Sequence, residues 1–158
     1  MSEIKTLAIA NRGEVAVRII RACQELGVES VLLHSKADIN TRAYRMSDRQ
    51  ICIGDSPVGE SYLSIEKNVD GVLAAGADAV HPGFGFLSEN ADFAQALADN
   101  KIQFVCPSPN AIRKMGDKIE AKRIAKKYGL PVIEGSEGGV KSFEEAKSIC
   151  KGIGYPVL

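Results

Sequence analysis

Apolar residues come in short bursts along this chain, and several of the stretches between them carry a helical period. Residues 6–10 (TLAIA) have almost no polar position, as a strand buried on both faces requires. From Glu14 to Leu26 the apolar positions Val15, Ile19, Ala22, Cys23 and Leu26 recur at helical spacing, which predicts a helix with one buried face. Gly27 is placed to end it in a left-handed turn. Residues 30–34 (SVLLH) then read as a second buried strand. Strand, helix and strand in such quick succession make a βαβ unit, with parallel pairing and a right-handed crossover.

The alternation continues. Residues 50–53 predict a strand, Ile65, Val69, Val72 and Leu73 share one face of a helix, and residues 77–80 predict another strand. Ser88 is placed to cap a helix burying Phe93, Ala94 and Leu97, and a strand at 102–105 closes the series. The pattern predicts an α/β fold over residues 1–113: an open, Rossmann-like parallel sheet with helices on both faces.

Past Pro107 and Pro109 the character changes. Asp117 and Glu120 form a capping-box-like pair before a helix ended by Gly129, and residues 134–139 are turn chemistry. Ser142 and Glu145 repeat the capping pattern ahead of a helix expected to bury Phe143, Ala146, Ile149 and Cys150. Residues 155–158 (YPVL) read as the start of an apolar strand. Residues 114–158 are few for an independent core, so the expectation is a linker helix and the incomplete beginning of a second domain.

Composition narrows the functional classes. With 20 Lys+Arg against 20 Asp+Glu the 158-residue chain has no net charge, which argues against a dedicated nucleic-acid binder. No apolar run reaches the roughly 20 residues a membrane-spanning helix needs. Cys23, Cys52, Cys106 and Cys150 are scattered without a CxxC motif; Cys23 and Cys52 read as small buried hydrophobes. With only His34 and His81 there is no zinc pattern, and the expected setting is a reduced cytoplasm.

Four groups of residues carry candidate chemistry. The first strand-to-helix turn is Asn11-Arg12-Gly13-Glu14, where a dinucleotide-binding fold would have GxGxxG. A carboxylate at that helix start competes with phosphate for the amides, so nicotinamide dinucleotides are disfavoured. Arg18, Arg21 and Glu25 form a charged stripe on the first helix, read either as a solvated face or as a protein contact surface. The loop His81, Pro82, Gly83, Phe84, Gly85 and Phe86 follows a predicted strand and so lies at the carboxyl edge of the sheet, where such folds bind ligands. Its phenylalanines read either as ligand-facing surface or as packing beneath the next helix. Lys118 follows Gly116-Asp117 at a helix start, where a cation is electrostatically unfavourable for the helix but, beside a glycine turn, would suit a phosphate ligand.

Taken together, IANRGEVAVRIIRACQELG, HPGFGFLSEN, MGDK and the terminal GYPVL resemble the amino-terminal part of biotin carboxylases, in the family's order from about residue 4 to 158. The resemblance implies a pre-ATP-grasp domain followed by the start of an ATP-grasp domain. It implies use of ATP, Mg2+ and bicarbonate to carboxylate biotin held on a carrier protein. It also implies a homodimer working with a biotin carboxyl carrier and a carboxyltransferase, with no nucleic acid and no membrane among its partners. Lys118 matches the lysine that contacts ATP, and Arg18, Arg21 and Glu25 match positions at the subunit interface. The 81–86 loop matches one on the biotin side of the active site, with Phe84 where many members have tyrosine. Metal ligands and catalytic residues of the family fall in none of the matched motifs, so the segment alone is expected to be inactive. Acetyl-CoA, propionyl-CoA, methylcrotonyl-CoA and pyruvate carboxylases share these motifs, so they name no acyl acceptor. Alternatives from the residues are another ATP-grasp ligase or a non-catalytic assembly module.

Overall fold

Two helical layers cover both faces of the sheet's central strands and leave one face of an edge strand open. The computed structural model describes residues 3–136 and 138–157. Strands β1 (Thr6–Ile9), β2 (Glu29–Ser35), β3 (Arg49–Gly54), β4 (Ala79–His81) and β5 (Gln103–Phe104) form one parallel sheet in the order β3-β2-β1-β4-β5. Because side chains alternate along a strand, Leu7 and Ile9 of β1 point to one face and Ala8 to the other. On the first face they meet Ala16, Val17, Ile20 and Cys23 of helix α1 (Gly13–Leu26). On the second, Ala8, Val31, Leu33 and Val80 meet helices α3 (Ile65–Ala75) and α4 (Ala91–Asp99), through Val69, Val72, Phe93 and Leu97. A short helix α2 (Arg42–Met46), which the sequence pattern did not predict, tucks Ala43 against the α1 side.

The helices end where local chemistry ends them. Gly27 and Gly76 close α1 and α3 with φ of 69° and 60°, each donating its N–H back into the last turn. The cap of α4 is Asn90, not Ser88: Asn90 Oδ1 accepts from the N–H groups of Asp92 and Phe93, both at 2.9 Å. Ser88 instead sits in the preceding turn, its N–H bonded to the Gly85 carbonyl.

Several expected core positions are corrected. On α1 the buried stripe is Ala16, Val17, Ile19, Ile20 and Cys23; Ala22 and Leu26 lie a quarter-turn away and are exposed. Leu73 is likewise 49% exposed, because α3 turns Asn68, Val69, Gly71, Val72 and Ala75 to the sheet. Cys52 is exposed, since β3 is an edge strand whose alternate residue Ile53 takes the core side. All four cysteines are free. Among the described residues no helix is long and apolar enough to cross a membrane.

The chain divides into two compact units, Met1–Ile112 and Arg113–Leu158. The boundary falls within helix α5 (Pro109–Gly116), which the sequence pattern did not predict although Ser108-Pro109 is a helix-start signal. In the second unit, helix α6 (Lys118–Lys127) starts at Asp117, whose carboxylate accepts from the N–H groups of Ile119 and Glu120. Glu120 does not complete the expected box; it pairs with Arg123 at 3.1 Å. Helix α7 (Phe143–Ile153) is capped by Ser142, with Glu145 accepting from the Lys141 N–H. Phe143, expected to be buried, is 77% exposed, and Ala146, Ile149 and Cys150 are half-buried. Residues 154–157 form no strand; Glu137 and Leu158 of the expected turn and strand lie outside the described residues.

Gly71 marks the closest approach of α3 to the sheet: a methyl there would lie 2.8 Å from Ile53 Cγ2 and 3.3 Å from Leu33 Cδ2. Gly71→Ala, although it favours the helix intrinsically, is expected to lower stability by about 1–3 kcal/mol through overpacking. Urea denaturation of the chain and its variant checks this; a gain in stability would refute it.

Candidate functional site

The sheet order reverses between β1 and β4, and the loops that follow these two strands meet at their carboxyl ends. This is the switch-point crevice at which open α/β sheets place their sites. Asn11, leaving β1, is 3% exposed and its side-chain amide donates to the carbonyls of Pro82 (2.7 Å) and Phe84 (2.9 Å) in the loop after β4. Its Oδ1 accepts from the Arg12 N–H at 2.9 Å, so the amide is fully used. The structure thereby joins two motifs that lie far apart in sequence. Gly83 is required by this closeness: a methyl there would come within 2.6 Å of Val15 Cγ1 and 2.8 Å of Asn11 Nδ2.

Arg12 reaches the other way. Its guanidinium grips Asp38 in the turn after β2, with Nε at 2.9 Å from Oδ2 and a terminal nitrogen at 2.7 Å from Oδ1. Asp38 is 3% exposed and accepts further from Ser35 Oγ (3.1 Å) and the Tyr62 hydroxyl (2.8 Å). Burial by itself pushes the Asp38 carboxyl up, but the hydrogen bonds from Arg12, Tyr62 and Ser35 outweigh it and hold the group below its ordinary value. The bond to Asp38 raises the Arg12 guanidinium in turn. Tyr62 also accepts from the Ser35 N–H at 3.0 Å, and burial is the chief reason its phenol is pushed up to about 12.

Tyr62 closes the circuit. Its ring stacks on Phe86 with centroids 5.0 Å apart and planes at 14°. Loops after β1, β2, β3 and β4 are thus tied together along one edge of the sheet. In the 81–86 loop, half-buried His81 accepts the Gly83 N–H at Nδ1 (3.0 Å), which needs a neutral ring, and burial lowers its affinity for a second proton. The two phenylalanines separate: Phe86 packs against Tyr62, while Phe84 is 69% exposed. Packing beneath the next element thus describes Phe86, while Phe84 is left at the surface.

The remaining candidates lie elsewhere. Arg18, Arg21 and Glu25 are exposed on α1, with no ion pair among the described residues, and Ala22 and Leu26 share their face. In the second unit Lys118 is the first residue of α6 and lines an open cavity of about 1190 Å³ with Lys122, Ile133, Gly135, Ile149 and Cys150. Lys126 and Arg123 also line it, so four basic side chains and Glu134 stand among its mostly apolar walls. Among the described residues no three His, Cys, Asp or Glu side chains gather as a metal site.

Residues 3–112 match the family described as biotin carboxylase, N-terminal domain. The chain belongs to the biotin carboxylase family. Residues 117–158 match the ATP-binding domain of the carbamoyl-phosphate synthase L chain. Biotin carboxylase 1 of Bacillus subtilis is 48% identical over 155 residues, covering 98% of this chain and 34% of that protein. The biotin carboxylase of Nostoc sp. is 47% identical over 152 residues, or 96% of this chain and 34% of that one. Among solved structures, a Campylobacter jejuni biotin carboxylase in a β,γ-ATP complex has a TM-score of 0.93 at 43% identity, covering 98% of this chain and 34% of that chain. The biotin carboxylase domain dimer of Hydrogenobacter thermophilus 2-oxoglutarate carboxylase, with MgADP, ADP and bicarbonate, has a TM-score of 0.92 at 43% identity, covering 99% and 34%. This chain spans about a third of the length of these biotin carboxylases.

Sequence reasoning found the two motifs of the biotin carboxylase edge but missed Asp38 and Tyr62, which lie outside them. Ser35 three residues before Asp38 was the one local signal available, a turn-forming pair.

Two outcomes follow from the geometry. Asn11→Ala leaves the Pro82 and Phe84 carbonyls without their donor and is expected to cost about 1–3 kcal/mol, read as a lower urea midpoint with faster amide exchange in residues 82–86. Acid acts twice. His81 and Asp38 both titrate lower folded than unfolded, so each contributes stability above its unfolded value and loses it as pH falls through its folded one. Loop amide protection should fall first, below the ordinary histidine value of 6.5, and global stability later, below the ordinary carboxyl value of 3.8. His81→Gln should abolish the first phase; its persistence would exclude His81 as the cause.

Proposed function

We propose that this chain is the amino-terminal third of an ATP-dependent biotin carboxylase, a ligase that is active only within the longer polypeptide. The observation that supports this best is the order of the two family matches, biotin carboxylase N-terminal domain over 3–112 and an ATP-binding domain over 117–158. The first match favours this reading over another ATP-grasp ligase. In the reaction, a bicarbonate oxygen attacks the γ-phosphorus of ATP and ADP leaves; the resulting carboxyphosphate releases carbon dioxide and phosphate. The ureido nitrogen of carrier-bound biotin then gives its proton to the released phosphate and takes up the carbon dioxide.

Each part of the chain has a task in this scheme. Lys118, at the start of α6 beside the second unit's cavity, donates to the phosphates of ATP and neutralises part of their charge. The loop His81, Pro82, Gly83, Phe84, Gly85 and Phe86 lines the biotin side, where exposed Phe84 offers an apolar surface without a hydroxyl. Arg18, Arg21 and Glu25, with Ala22 and Leu26 beside them, form the contact face of a homodimer. Mg2+ would neutralise phosphate charge in this scheme, and none of the site residues named here is assigned to hold it. Partners are a biotin carboxyl carrier and a carboxyltransferase, in the cytoplasm.

The test is bicarbonate- and biotin-dependent phosphate release. The 158-residue chain should show none above a Lys118→Ala control, while the full-length polypeptide should show it and lose at least tenfold in kcat/KM for ATP on the same substitution, as expected when a charged donor to phosphate is removed. Turnover by the short chain would sink the claim that it needs the rest.

A further inference from the structure

The 81–86 loop holds a backbone that its sequence does not favour. Gly85 and Phe86 follow one another with φ of +70° and +44°. Glycine adopts this region freely, but an aromatic residue stays there only where its surroundings over-determine it. Asn11 fixes the first half of the loop through the Pro82 and Phe84 carbonyls. The second half is fixed by the stack of Phe86 on Tyr62. Tyr62 is a firm anvil. It is 2% exposed, its hydroxyl is held between Asp38 and the Ser35 N–H, and its backbone is pinned from α3 by Asn68. The Asn68 amide lies 3.1 Å from the Ser61 carbonyl and 2.9 Å from that of Ser64. Phe84 stands exposed between the two fixed halves.

We propose that Tyr62 is a positioning residue for the biotin step: by stacking on Phe86 it keeps the 81–86 loop in the shape that receives biotin. This rests on the reading that the loop lines the biotin side. Tyr62 acts through Phe86 and touches no substrate. The Arg12–Asp38 pair sets where the hydroxyl, and hence the ring, is held.

Three variants divide the device into parts. Tyr62→Leu removes the stacking ring, Tyr62→Phe keeps the ring and removes its tether, and Phe86→Tyr keeps the stack. In the 158-residue chain, loop amides at 82–88 should exchange about three- to tenfold faster in Tyr62→Leu, in line with the loss of one aromatic pair. They should exchange faster by a smaller factor in Tyr62→Phe and at the original rate in Phe86→Tyr. Amides of α1 should be unchanged, which shows that the fold persists; if Tyr62→Leu does not fold, Tyr62→Phe carries the same comparison. In the full-length polypeptide Tyr62→Leu should raise the KM for free biotin by a similar factor and leave the KM for ATP unchanged. Unchanged loop exchange overturns the proposal and leaves the biotin reading of the loop intact. Faster exchange with an unchanged biotin KM overturns that reading and the positioning role with it. Equal rises in both KM values overturn the proposal in favour of a general packing role.

Discussion

A carboxylate taken out of water must be given donors, and Asp38 collects them from three directions. Arg12 comes from the turn after β1, Ser35 from the end of β2, and Tyr62 from the loop after β3. Removing one donor would leave a buried charge short of partners, which costs far more than the bond itself contributes. The carboxylate therefore fixes the relative height of three loops that the strands alone would leave free. Tyr62 extends that order to a fourth loop by stacking on Phe86, and Asn11 closes the circuit from the other side. Beyond the last ladder bond, from the Ala10 N–H to the His81 carbonyl, the edge is held by the Arg12–Asp38 pair, Tyr62 and Asn11.

This explains how a Rossmann-like sheet without a glycine-rich phosphate turn still builds an ordered carboxyl edge. In the dinucleotide folds the turn after the first strand is kept bare so that phosphate can approach the amides. Here the same turn is occupied: Asn11 looks inward to the neighbouring loop, Arg12 is committed to Asp38, and Glu14 brings a negative charge to the start of α1. The turn has become a support for the loop after β4. The biotin carboxylase N-terminal match covers this sheet, and the ATP-binding match begins only at residue 117, in the second unit.

The fold was legible because it is written in short-range periodicity. Both-sided burial makes uninterrupted apolar runs, and residues 6–10, 30–34 and 77–80 could be placed from them; the strand ends shifted by a residue or two. Helix faces were read less well. Ala22, Leu26, Leu73 and Phe143 are apolar at helical spacing yet exposed, since periodicity does not say how wide the covered stripe is. Asn90 displaced Ser88 as a cap because both residues are good caps, and only the geometry of the loop decides between them. The least legible part was the polar circuit. Asn11, Asp38 and Tyr62 are polar residues in loops, indistinguishable from solvated ones until the topology brings them together. The NRGE and HPGFGF motifs marked two ends of that circuit, and resemblance, not spacing, attached an expected role to the second of them.

The burial of Tyr62 also gives the molecule an optical signature. The chain has no tryptophan and four tyrosines, so its near-ultraviolet signal is set by phenols and phenylalanine rings. Tyr128 and Tyr155 are more than 70% exposed, and Tyr44 is half-buried. Tyr62 alone among the described tyrosines is enclosed, stacked face to face on another ring and bonded to a carboxylate. An asymmetric, rigid setting of that kind gives an aromatic ring its circular dichroism. The loop edge thus reports on itself without a label, at wavelengths where most of the protein is silent.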